Sequence, residues 1–216
     1  MAWLGLKNLP KSRLLAVKAA MFVLCAAPAV ILVAQGFMDR LGADPVDRLT
    51  GETGETALKM LVLTLCVTPL RRLSGWNWLL RLRRMLGLFM FFYAFLHFSV
   101  YLFLDLGLDL GAVIEDVIER KYVTAGFAAF LLLWPLALTS TAWAVRKMGG
   151  QRWLKLHRAV YAVAILASVH FLWLVKGDDY GEPLVYSAIF AALLGYRWMS
   201  RDKPTQQAPA GAGESG

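Results

Sequence analysis

Leu156–Val175 reads LHRAVYAVAILASVHFLWLV, and from Ala159 onward its apolar run is broken only by Ser168 and His170. At about 1.5 Å rise per residue, a helix of this length crosses the roughly 30 Å hydrocarbon core of a bilayer. His157 and Arg158 mark one end, and His170 falls well inside the apolar part. The stretch predicts a transmembrane helix that carries an ionisable side chain at depth. Such groups are costly in hydrocarbon and serve a pathway, a cofactor or a partner.

Working outward, similar runs occupy Leu14–Phe37, Ala57–Leu70, Met85–Leu106, Tyr122–Val145 and Leu184–Met199, each bounded by charged or Gly-rich segments. The chain is 58% hydrophobic with a mean hydropathy of +0.54, well above a soluble domain. The expected fold is all-α: a six-helix transmembrane bundle over residues 14–199, preceded by a segment 1–13 and followed by a disordered tail, 200–216, rich in Pro, Gly, Ala and Gln. The first run exceeds the apolar core of a cleavable signal and is read as a retained helix. The second is short unless its helix begins near Gly54, and Pro69 is expected to end it.

Basic residues concentrate on alternate loops: Lys7, Lys11, Arg13 and Lys18, then Arg71, Arg72, Arg81, Arg83 and Arg84, then Arg146, Lys147, Arg152, Lys155 and Arg158, then Arg197, Arg201 and Lys203. Acidic residues concentrate on the others, among them Asp44, Asp47, Glu52, Asp105, Asp109, Glu115, Asp178 and Asp179. By the positive-inside rule both termini face the cytoplasm. This topology accounts for the net charge of +8, and no nucleic acid is expected as a partner; the lipid bilayer is. Cys25 and Cys66 lie in apolar runs and read as packing residues. No matching motifs divide the chain into inverted halves, as they would in many transporters.

The three histidines, His97, His157 and His170, all fall on the third and fifth runs. His97 comes 13 positions after Arg84 and His170 12 after Arg158, which puts both about 18–20 Å from the cytoplasmic interface. Two imidazoles level with each other on different helices suit axial ligation of one six-coordinate heme, held between the third and fifth helices. His157 is expected about 20 Å nearer the cytoplasm. It either ligates a second heme, for which no level histidine exists on the third run, or is an interfacial histidine hydrogen-bonded to a loop carbonyl. An ideal helix would also turn His157 about 140° away from His170, so a bend is required for both to face one neighbour. The aromatic residues around them, Phe91, Phe92, Phe95, Phe98, Tyr101 and Phe171 among others, read as packing or as the lining of a porphyrin cleft. Arg83, Arg84, Arg152 and Arg158 match propionates as well as topology.

GADP at Gly42–Pro45, TGETAL at Thr53–Leu58, TPLRR at Thr68–Arg72, RRMLGL at Arg83–Leu88, His97, LTST at Leu138–Thr141 and WLKLHRAVYAVAILASVHFLW at Trp153–Trp173 together resemble the MsrQ (YedZ) family. These are heme-binding membrane subunits of periplasmic methionine sulfoxide reductase systems, within the wider ferric reductase-like transmembrane family. The resemblance covers most of the chain. It implies that His97, His157 and His170 stand at the family's heme histidines, with heme b as cofactor and FMN as a second one. It further implies location in the bacterial inner membrane and electrons passing from quinol, or from a cytoplasmic flavin reductase, to a periplasmic molybdopterin partner, MsrP, which repairs oxidised proteins. The catalytic step would belong to that partner. Two other readings compete: a ferric reductase-like carrier served by a separate flavin reductase, and a heme-free transporter or assembly factor.

Overall fold

The computed structural model describes residues 9–175 and 180–200. Lys7, Asp178, Asp179 and the tail beyond Ser200 lie outside the described residues. Among the described residues the protein is wholly helical: α1 Lys11–Phe37, α2 Pro45–Ser74, α3 Leu80–Val100, α4 Leu110–Glu119, α5 Lys121–Leu138, α6 Ala142–Met148, α7 Gly150–His157, α8 Val160–Leu174 and α9 Gly181–Met199. A 3-10 turn, Asn77–Leu79, leads into α3, and a π turn, Tyr101–Asp105, prolongs it.

Helices fall on all six apolar runs, the fourth and fifth each being divided between two. Four stretches, Lys11–Phe37, Asn77–Asp105, Lys121–Leu138 and Gly150–Leu174, are long and apolar enough to cross a membrane. The first of them turns most of its apolar side chains outward, with Leu24 66% and Phe37 90% exposed. A contiguous apolar face of that size has to meet something other than water. The interior is built from two closely packed pairs, α2 against α3 and α5 against α8, around Leu61, Leu65, Leu86, Tyr93, Ala164 and Phe190.

Three expectations about helix boundaries are corrected. Pro69 does not end α2, which runs on through it to Ser74. Proline removes the N–H that the carbonyl of Leu65 would accept from, and Arg197 on α9 supplies the replacement: its Nη2 donates to Leu65 O at 3.3 Å. The same guanidinium donates to Thr68 Oγ1 at 2.6 Å and to the Tyr161 hydroxyl, so one side chain ties α2, α8 and α9 together. The fourth run is not one helix to Val145. It stops at Leu138, and Thr141 restarts the chain as α6 by accepting from Ala144 N at 3.1 Å. The stretch after Leu106, which read as a loop, contains α4. Asp109 caps it by accepting from the amides of Gly111 and Ala112.

Pro28 in α1 is accommodated in a related way. The Tyr93 hydroxyl on α3 accepts from Ala29 N at 3.2 Å and donates to Cys25 O at 2.6 Å, so it bridges a carbonyl and an amide that an uninterrupted helix would pair directly.

Replacing Arg197 by Met orphans the Leu65 carbonyl and should cost about 2 kcal/mol or more, read as a lower melting temperature in detergent. Adding Pro69→Ala restores the helical donor and should recover part of that loss. Equal stability of wild type and Arg197→Met would contradict the assignment.

Candidate functional site

His97 sits on α3 and faces α2; His170 sits on α8 and faces α5. Each ring is held the same way. His97 Nδ1 lies 2.9 Å from Thr50 O, and His170 Nδ1 lies 2.7 Å from Tyr122 O. A carbonyl only accepts, so both Nδ1 atoms carry the hydrogen. In the neutral imidazole this leaves Nε2 as a bare lone pair, the form that binds metals.

One helical turn beyond each accepting carbonyl stands a glycine. A Cβ at Gly54 would come within 3.0 Å of His97 Cε1 and Nδ1, and one at Gly126 within 2.7 Å of His170 Nδ1. Close approach of ring to backbone is therefore what these two glycines provide.

The two rings meet with centroids 6.1 Å apart and planes at 82°, as their matched depth predicted. An imidazole nitrogen binds a transition metal at about 2 Å; two such bonds with half a ring at either end span about 6 Å. The spacing fits one ion between two Nε2 atoms. Both rings line a cavity of about 1090 Å³, at the upper end of ligand sites. Its apolar wall includes Met90, Phe98, Phe127, Phe130, Leu133 and Phe171.

The cavity also has charged side chains in its lining: Asp47, Arg48, Glu52, Asp105, Arg120 and Glu182. Sequence reasoning passed over Arg48 and Arg120. Their signal was that they are basic residues on an otherwise acid-rich side. Arg48 Nη2 donates to Gln35 Oε1 at 3.3 Å, and Arg120 pairs with Asp116 at 3.0 Å. Val113 and Val117 of α4 close part of the cavity. Their spacing of four was legible as an apolar stripe. Tyr101, in the π turn, donates to Asp116 Oδ2 at 2.8 Å and fixes α4 there.

His157 is elsewhere. The required bend exists: α7 ends at His157, and i-to-i+3 bonds from Ala159 N to Leu156 O and from Tyr161 N to Arg158 O tighten the chain before α8. The ring stacks on Trp153 at 3.9 Å, and its Nε2 lies 3.0 Å from Thr139 Oγ1. That hydroxyl donates to Pro135 O at 2.5 Å, so it accepts from His157, whose Nε2 carries the hydrogen. The tautomer is the reverse of the other two, and the partner is a hydroxyl rather than the loop carbonyl expected. His157 lines a separate cavity of about 320 Å³ with Arg83 and Arg84; Arg152 and Arg158 line neither. Of the aromatic residues, Phe98, Tyr101 and Phe171 line the large cavity and Phe91 the small one. Phe92 and Phe95 line neither and are partly exposed, at 40% and 41%.

A helical chain with four membrane-length stretches and two histidines converging from different helix pairs defines the class: a multi-pass membrane protein with a paired-imidazole site. Residues 53–168 match the model of the ferric reductase like transmembrane component. The chain is 50% identical over 202 residues to a protein-methionine-sulfoxide reductase heme-binding subunit MsrQ of Azospira oryzae, covering 91% of this chain and 87% of that one. It is 47% identical over 196 residues to the MsrQ of Ralstonia nicotianae, 89% of this chain and 90% of the relative. A third MsrQ, of Rhodospirillum rubrum, is 46% identical over 178 residues, 82% and 85% of the two chains. No solved structure matches. The chain belongs to the MsrQ family, within the ferric reductase-like transmembrane proteins.

With three histidines in the chain, 15N-histidine labelling gives three imidazole signal sets. Gly126→Ala should displace the His170 ring and shift its Nδ1 resonance while the His157 signals stay in place. An unmoved His170 signal would contradict the close approach.

Proposed function

We propose that the protein is a b-type cytochrome subunit that holds heme between His97 and His170 and passes electrons across the bacterial inner membrane to a periplasmic methionine sulfoxide reductase. The two imidazoles that face each other in the lining of a 1090 Å³ cavity carry this reading. Two imidazoles supply two ligands. Among the described residues no group of three or more His, Cys, Asp or Glu side chains can hold a metal ion. A metal bound here therefore brings its equatorial ligands with it, as a porphyrin does. Heme so bound supplies one-electron chemistry, and double imidazole ligation favours electron transfer over oxygen binding.

The chain's own residues do the rest. The carbonyls of Thr50 and Tyr122 fix the tautomer and orientation of the two ligands. Phe98, Phe127 and Phe130 line the cavity and would keep water from a group bound there. Six spans, with both termini in the cytoplasm, follow from the distribution of basic residues together with a helix at each apolar run. The names of the relatives support a methionine sulfoxide reductase as acceptor, here read as the molybdopterin protein MsrP, with quinol as donor. FMN rests on the resemblance alone. His157 as ligand of a second heme has less support, because its Nε2 is engaged by Thr139 and no other histidine lines its cavity.

A reduced-minus-oxidised spectrum of the purified protein tests the proposal and should show a b-type heme. His97→Ala and His170→Ala should each abolish it. Wild-type heme content in both variants would refute the pairing.

A further inference from the structure

The carbonyls that orient the two rings stand in matching stretches of sequence. Thr50 follows Arg48 by two positions and precedes Gly54 by four; Tyr122 follows Arg120 by two and precedes Gly126 by four. Along each helix the order is therefore the same: an arginine, the accepting carbonyl, then the glycine against which the imidazole lies. Arg48 belongs to the opening turn of α2 and Arg120 is the N-cap of α5. Both stand about half a helical turn before the carbonyls, on the same side of the two rings.

Both arginines line the large cavity, and among the described residues no other lysine or arginine does. The remaining charged groups of the lining, Asp47, Glu52, Glu55, Asp105 and Glu182, are carboxylates. An acidic ligand in this cavity has two places for negative charge and is repelled elsewhere. Arg48 Nη2 donates only to the neutral amide oxygen of Gln35. Arg120 meets Asp116 through Nε, a carboxylate that Tyr101 already serves. A guanidinium carries five donors in a fork that matches a carboxylate, so each can take one more.

The four arginines that the sequence offered to propionates do not reach this cavity. Arg83 and Arg84 line the small one, and Arg152 and Arg158 line neither.

The geometry points to Arg48 and Arg120 as the anchors of the two heme propionates, one for each arm. This rests on the heme reading above and adds how the macrocycle is turned within the site. Two histidines, two carbonyls, two glycines and two arginines form one unit used twice, by α2 with α3 and by α5 with α8. Acidic residues flank both anchors, Asp44 and Asp47 at one and Glu115 and Glu119 at the other, which puts the propionate edge on the periplasmic side by the charge pattern. That edge faces the side on which the electron acceptor docks. The guanidinium charges there also favour the reduced iron over the more positive oxidised one.

Heme-loaded protein in lipid nanodiscs is compared with Arg48→Met, Arg120→Met and the matching Lys variants. Three quantities are read: the propionate bending bands in resonance Raman spectra, the rate of heme transfer to excess apomyoglobin, and the midpoint potential. Each Met variant should shift the propionate bands and speed heme loss about ten-fold, the effect of one charge-assisted hydrogen bond. Each should also lower the potential, while the low-spin spectrum persists and shows the histidine pair intact. The Lys variants keep the charge and should restore the potential, yet still shift the bands because the fork is gone. Arg152→Gln should change none of the three. Wild-type bands and heme loss in both Met variants, or equal changes in Arg152→Gln, would overturn the anchoring and leave the heme reading standing. Wild-type protein without a b-type spectrum would overturn both. Where a Met variant holds no heme, the bands of the Lys variant at that position decide: a shift supports contact, and wild-type bands overturn it.

Discussion

Everything at the centre of this molecule depends on a hydrogen bond from an imidazole Nδ1–H to a carbonyl of the neighbouring helix, made twice. It fixes which nitrogen is bare, which way the ring faces and how closely the helices approach. The contact requires a glycine one turn beyond the carbonyl, and Gly54 and Gly126 occupy those positions with almost no room for a methyl group. The two most extensively packed helix pairs, α2 with α3 and α5 with α8, are the pairs these bonds join. Packing and ligand geometry are thus set by the same contacts.

Around that centre the fold manages its prolines by inserting side chains into opened helices. Arg197 covers the carbonyl that Pro69 frees, and Tyr93 bridges the turn at Pro28. In a low-dielectric surround an unpaired backbone group costs several kcal/mol, so these substitutes are required rather than decorative. They also explain why α2 runs on past Pro69 to Ser74.

Much of this was legible in the sequence. Apolar runs located all six long helices, and counting from Arg84 and Arg158 put His97 and His170 at one depth, where the rings stand 6.1 Å apart. What escaped were features set by tertiary partners. Pro69 read as a terminator because nothing local announces an arginine more than a hundred residues later. The end of α5 at Leu138 and the restart at Thr141 depend on a capping hydroxyl inside a run that is apolar on either side. Gly54 and Gly126 carry no periodic signal, and their role appears only when a ring lies against them. Arg48, Arg120 and the stripe of α4 were readable but were absorbed into a loop.

The perpendicular setting of the two rings gives the account its most direct test. Electron paramagnetic resonance of the oxidised, heme-loaded protein reads both coordination and ring orientation at the iron. Two imidazoles with planes near 82° predict a low-spin ferric signal of the strongly anisotropic kind, lost when either His97 or His170 is replaced. A high-spin ferric signal from the intact protein would contradict axial ligation by the pair.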